Sequence, residues 1–294
     1  MGYGSWSSSS YTSYNTSRGR TVTLNGTLDS NYTAQDLYTS VSLDSKLDPK
    51  GVIRECCDSD EHPNTIPVIL ALDVTGSMGS AAAEVAKKLN VIMTDLYDKV
   101  SDVEFMVMGI GDMAYDRAPV QASQFESDIR IAEQLDKVYF EGGGGGNGYE
   151  SYTAAWYMGL RHTKLDCWNR GKKGIIITMG DEPLNPYLPK AGVQGYFGDK
   201  NVEADVETKP LYNEVIEKFD VYHLAIDDPH SSYDYYDTRI DATWGKQLDE
   251  DHFKVVTLDN LAKTIIDIVV NAETDNAIGE ETVAIEGDIE EIGW

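Results

Sequence analysis

The chain has 294 residues, 41% of them hydrophobic, and a formal net charge of −26. That length and apolar content fit a globular protein of one large or two small domains and exclude a disordered chain. The acidic balance argues against nucleic acid and anionic membrane surfaces as partners, and suits divalent cations or a basic partner protein.

Residues 1–20 are rich in Ser, Tyr, Gly and Thr without an apolar period, which predicts a flexible tail or a segment ordered only on binding. The start, Met1–Trp6, lacks the basic and apolar regions of a secretory signal, and no stretch is apolar for long enough to span a bilayer. The predicted compartment is therefore the cytoplasm, with no membrane partner. Residues 21–65 read as an N-terminal extension. Thr21–Gly26 alternates like a strand ending in a turn, and Asp58–Thr65 is a polar loop. Cys56, Cys57 and Cys167 are odd in number and two are adjacent, which argues against a disulfide framework. Cys56, Cys57, Asp58 and His62 are all potential ligands, but their spacing matches no zinc pattern.

From Ile66 strands and helices alternate. The pattern predicts a strand over Ile66–Leu72, a helix near Ser80–Val100 and a strand over Val103–Ile110. A helix around Gln124–Leu135, a short strand Lys137–Phe140 and a helix from Tyr149 to His162 follow. Next come a strand Gly174–Thr178, a helix near Leu211–Phe219 and a strand Val221–Ile226. A helix near Ala242–Glu250, a strand Phe253–Thr257 and a helix Leu261–Asn271 complete the series. Continuous apolar strands between helices predict an α/β fold: a doubly wound, mostly parallel central sheet flanked by helices, over 66–272. Right-handed crossovers would then bring the loops after Leu72, Phe140 and Thr178 to one edge. Residues 273–294 read as an acidic C-terminal tail, with Ile285, Ile289, Ile292 and Trp294 able to dock. The Tyr233–Asp237 cluster reads equally as a contact patch or a solvated loop.

The most informative segment is Asp73-Val74-Thr75-Gly76-Ser77-Met78-Gly79. It lies between the first apolar strand and the first long helix, at the strand end where open α/β sheets bind ligands. A carboxylate and two hydroxyls at alternate positions can converge on one small hard cation. The glycine run Gly142–Gly146 lacks the Gly-Lys-Ser/Thr end of a phosphate loop.

Residues 66–79 resemble the first metal motif of von Willebrand factor type A (VWA) domains. There an Asp-x-Ser-x-Ser turn after the first strand begins a metal-ion-dependent adhesion site (MIDAS). Asp73 matches the aspartate, Thr75 replaces the first serine, and Ser77 matches the second. The resemblance covers about 66–271 and is to the intracellular, prokaryotic or phage kind of VWA protein. It implies a ligand from a second loop ahead of a helix, where Glu150 is the best match and Ser151 and Thr153 are fallbacks. It implies a last ligand after the fourth strand. Met179 takes the usual place of that aspartate, and Asp181, two residues on, is its stand-in. Asp112 is a rim candidate. The implied cofactor is Mg2+, or Mn2+ or Ca2+. The implied function is non-enzymatic: metal-dependent binding of a protein partner, through an acidic side chain on the metal. AAA-type ATPases of the MoxR kind or multi-protein complexes are the implied partners.

Two enzymatic readings compete. Asp73-Val74-Thr75-Gly76-Ser77 also resembles the phosphorylation turn of haloacid-dehalogenase-like phosphohydrolases, with Asp73 as nucleophile and Mg2+ beside it, but Val74 stands where that motif has lysine. Gly76-Ser77-Met78-Gly79 is part of a serine-hydrolase nucleophile elbow, with Thr75 where its first glycine should be. His223, His230 and His252 are the available bases.

Overall fold

The computed structural model describes residues 4–143, 146–227 and 238–287. A helix, α1 (Ser8–Ser17), a single turn, α2 (Ala34–Leu37), and a short strand, β1 (Arg54–Cys56), come first. The alternating part runs β2 (Ile66–Asp73), α3 (Gly79–Tyr97), β3 (Val103–Ile110), β4 (Val120–Ala122), α4 (Arg130–Leu135), α5 (Thr153–Arg161), β5 (Thr163–Leu165) and β6 (Gly174–Gly180). It continues through β7 (Tyr187–Leu188), α6 (Lys190–Gly192), β8 (Val206–Glu207), α7 (Thr208–Val215), β9 (Phe219–Ile226), α8 (Thr238–Gln247), β10 (Phe253–Val256) and α9 (Leu258–Gly287).

The central sheet has six strands in the order β10-β9-β6-β2-β3-β4. All neighbours are parallel except β3 and β4. This is the expected doubly wound α/β architecture. Every residue of β3 and β6 is buried, because both faces of the sheet carry helices. Successive side chains point to opposite faces. Val68, Leu70 and Leu72 of β2 therefore pack with α3 and α9, while Ile69 and Ala71 face Trp156 of α5 and Trp244 of α8. Among the described residues no helix is long and apolar enough to cross a membrane.

Several local expectations differ. The segment expected to be a flexible tail forms α1. Its polar sequence has little helix preference of its own, so tertiary contacts hold it. Tyr11 is 1% exposed and packs in the core beside α3. The Trp6 indole donates to Asn90 Oδ1 at 3.0 Å, and the Tyr14 hydroxyl donates to Asp136 Oδ2 at 2.7 Å. The strand expected over Thr21–Gly26 reduces to one bridge, Val22 with Leu28.

The helix expected over Gln124–Leu135 begins only at Arg130. Ahead of it Glu126 exchanges backbone hydrogen bonds with Phe105 of β3, at 2.8 and 3.0 Å. Lys137–Phe140 is not a strand. Its backbone is satisfied by the Gln121 amide instead, which donates to Tyr139 O at 2.7 Å and accepts from Tyr139 N at 2.8 Å. The last helix extends well past Asn271 to Gly287, so the expected acidic tail is helical over its first part. The Tyr233–Asp237 cluster and Ile289, Ile292 and Trp294 lie outside the described residues.

Candidate metal centre

The chain leaves β2 for β3 on one side and reaches β6 on the other, so the strand order reverses between β2 and β6. The carboxyl ends of two such strands diverge into a crevice. Asp73 is the last residue of β2 and is fully buried. In the register of β2 on β6, Leu72 is opposite Met179. Met179 is thus a sheet residue, fully buried in the core. The strand runs two residues beyond the expected Thr178, to Gly180. Asp181 is then the first residue after β6, where the resemblance expected an aspartate.

The turn after β2 is closed by its own side chains. The Thr75 hydroxyl and amide both donate to Asp73 Oδ1, at 2.6 and 2.9 Å. A single 3-10 turn, Gly76–Met78, follows and leads into α3. The Ser77 hydroxyl donates to Asp181 Oδ1 at 3.0 Å, which joins the ends of β2 and β6. The glycine-rich loop packs on the same turn: Gly76 N donates to Gly143 O at 2.8 Å and Glu141 N to Val74 O at 2.9 Å. The three loops expected at one edge meet there, although the segment before the glycines is not a strand.

Glu150 is 5% exposed, and its Oε2 is buried without a hydrogen-bond partner. It is held by a bridge to Leu184, in the loop after β6. Burial pushes its carboxyl well up from the usual range, and the neighbouring carboxylates of Asp73, Asp116, Asp112 and Glu182 push it further. Asp73 is raised by burial and then by Asp181, and Asp181 is itself raised by burial. An unpaired buried carboxylate is costly, so either a proton or a cation must offset this charge.

The fallback residues are otherwise engaged. Ser151 Oγ accepts from Met113 N at 3.0 Å. Thr153 Oγ1 accepts from the Asn185 amide at 2.6 Å. Asp112 Oδ1 accepts from Ala114 N at 2.7 Å, and its Oδ2 is buried without a partner.

Tyr152 went unnoticed in the sequence. Its hydroxyl donates to Asp73 Oδ2 at 2.7 Å and accepts from Glu182 N at 3.2 Å. Both oxygens of Asp73 therefore accept hydrogen bonds. Tyr152 reaches this position because residue 180 is glycine: a Cβ there would sit 2.0 Å from the tyrosine oxygen. The only hint in the sequence was an aromatic residue between Glu150 and the small residues of α5.

The described histidines do not contact Ser77. His223 is buried, accepts or donates at Thr178 Oγ1 through Nδ1 (2.9 Å), and stacks on Trp244 with ring centroids 3.6 Å apart. Burial lowers its pKa. His252 pairs with Asp249, and His230 lies outside the described residues. Near β1, Cys56 is buried, Asp58 pairs with Arg170, and His62 bonds Gly4 O at 2.8 Å and Asp102 Oδ1 at 3.3 Å. Among the described residues no three His, Cys, Asp or Glu side chains lie close enough together to hold a metal ion. A cation at the β2–β6 edge would therefore need hydroxyl oxygens as well as carboxylates, and Thr75 and Ser77 are the hydroxyls present.

No family model and no curated protein matches this chain. Solved structures give distant likenesses. The pilus adhesin SpaC from Lactobacillus rhamnosus GG is 15% identical, with a TM-score of 0.43, over 74% of this chain and 31% of the adhesin. The conserved hypothetical protein BatB from Bacteroides thetaiotaomicron is 15% identical, with a TM-score of 0.43, over 71% of this chain and 99% of that one. The SpRpn10 VWA domain is 12% identical, with a TM-score of 0.37, over 66% and 87%. The chain thus spans under a third of the adhesin's length. At these distances the fold class rests on the strand order and register of the chain itself.

Proposed function

We propose that this chain is a protein-interaction domain that binds a divalent cation, magnesium before manganese or calcium, through Asp73, Thr75, Ser77, Glu150 and Asp181. Thr75 and Ser77 are direct ligands, and the three carboxylates, which do not stand close enough together to hold an ion by themselves, are drawn in or act through its waters. The observation that carries the reading is the pair of hydroxyl-to-carboxylate hydrogen bonds, Thr75 to Asp73 and Ser77 to Asp181. A hydroxyl has one proton and two lone pairs. With both protons directed at carboxylates, the lone pairs of Thr75 and Ser77 are left for a cation. The unpartnered, buried Glu150 Oε2 supports the same reading. The donor set is all oxygen, which suits a hard cation.

When bound, the cation supplies an electrophilic position that an acidic side chain of a partner can fill. The resemblance to VWA domains points to partners such as an AAA-type ATPase of the MoxR kind.

Calorimetric titration with MgCl2, MnCl2 and CaCl2 tests the site. Saturable binding to the wild type, lost in Asp73→Ala, is the expected result. No binding of any of the three ions overturns the proposal. Affinity purification with and without chelator tests the partner function, and a set of bound proteins indifferent to chelator contradicts it.

A further inference from the structure

A cleft of about 600 Å³ opens beside the turn after β2. It is lined by Ser77 of the turn, by Ser80, Glu84 and Lys87 of α3, and by Tyr32 and Gln35 of the N-terminal extension. Its volume is that of a ligand site. Glu84 and Lys87 are its charged side chains, and their charges cancel. Glu84 is also bridged to Lys88 at 2.7 Å. The carboxylates that act on Glu150, namely Asp73, Asp116, Asp112 and Glu182, do not line the cleft. In a chain with 50 acidic and 24 basic residues, this is a neutral approach to the turn. A ligand carboxylate meets no net charge along the cleft until the turn itself, where Ser77 donates to Asp181 and the proposed cation offsets the acids.

The wall formed by the extension is fixed in place. Leu28 N donates to Lys87 O at 3.0 Å, and the Lys87 ammonium donates to Ser30 O at 3.1 Å. Thr33 and Asp36 form a capping box at the start of α2. A preorganised wall lowers the entropic cost of holding a flexible ligand.

We infer that this cleft receives an extended, otherwise polar segment of a protein partner that carries one carboxylate. The carboxylate passes to the turn at Ser77, and the flanking residues lie against Tyr32 and Gln35. The extension thus selects the partner, while the proposed cation site anchors it. The inference rests on that proposed site.

The test uses the full chain, 15N-labelled, with magnesium, and the peptide acetyl-Gly-Glu-Ser-Gly-amide as probe. The expected result is saturable movement of amide signals from residues 31–35 and 80–87. It should be absent with the Gln counterpart of the peptide and absent in chelator. Gln35→Glu, an exposed change that suits the first turn of a helix, should weaken the peptide about five-fold at saturating magnesium and bind magnesium at least as tightly as the wild type. Peptide shifts confined to residues 112–116 and 141, or unaltered peptide affinity in Gln35→Glu, would overturn the inference while magnesium still binds. Failure of magnesium to bind the wild type, seen by calorimetry without peptide, would instead remove the cation site and this inference with it.

Discussion

Gly180 shows how one missing side chain sets the chemistry of the edge. It lets the Tyr152 hydroxyl reach Asp73 Oδ2. Gly180→Ala is expected to destabilise the chain by about 1–3 kcal/mol through overpacking, measured by urea denaturation. Tyr152→Phe removes the hydroxyl that donates to the buried Asp73 Oδ2 and accepts from Glu182 N. It should cost about 1–3 kcal/mol, with the secondary-structure content unchanged by far-UV circular dichroism. A second buried carboxyl, Glu126, is pushed up to about 7 by burial, partly opposed by Arg130. Its pKa in the fold lies above its unfolded value, so the fold binds the proton more tightly. Stability from this group is full below about pH 4.5 and is lost as pH rises through about 7. Glu126→Gln should flatten the fall in Tm between pH 5 and 8, and an unchanged pH profile would contradict the assignment.

Among the elements, α1 and α4 depend on each other through Asp136. Its carboxylate accepts from Tyr14 at 2.7 Å, pairs with Arg20 at 2.7 Å and with Arg18 at 3.2 Å. The Arg20 side chain is 9% exposed and also donates to Leu37 O at 2.9 Å. Removing the acid strands a buried cation. Asp136→Ala is therefore expected to cost about 3–5 kcal/mol and to raise the hydrogen exchange of residues 8–17. A loss confined to exchange, with no change in global stability, would mean that α1 unfolds separately from the rest.

For the whole molecule, folding gathers like charges. Asp73 ends β2 while Glu150 and Asp181 lie in loops, and the fold carries the cost of bringing Asp73 near each of the other two. A cation that binds only the folded chain offsets that cost through linkage. At magnesium a hundred-fold above its Kd, stability should rise by about 2.7 kcal/mol. Differential scanning fluorimetry should show Tm rising with magnesium in the wild type and remaining flat in Asp73→Ala. Equal shifts in both would place the effect away from this edge.

The sequence alone determined the five parallel strands from Ile66 onward and most of the helices between them, and with them the doubly wound sheet, but neither the antiparallel edge strand β4 nor the lack of a strand over Lys137–Phe140. Those signals are local: apolar runs the length of a strand and apolar faces at helical spacing. It also marked Asp73, Thr75 and Ser77 as one unit, because five consecutive residues contain them. Tertiary structure decided the rest. The register of β6 on β2 made Met179 a core residue and Asp181 the residue at the strand end. Packing on α3, not helix preference, made residues 8–17 a helix. The contacts of Tyr152 with Asp73, and of Ser77 with Asp181, span 79 and 104 residues of chain. No local pattern records a contact of that kind, since it exists only once the sheet has set the strand ends side by side.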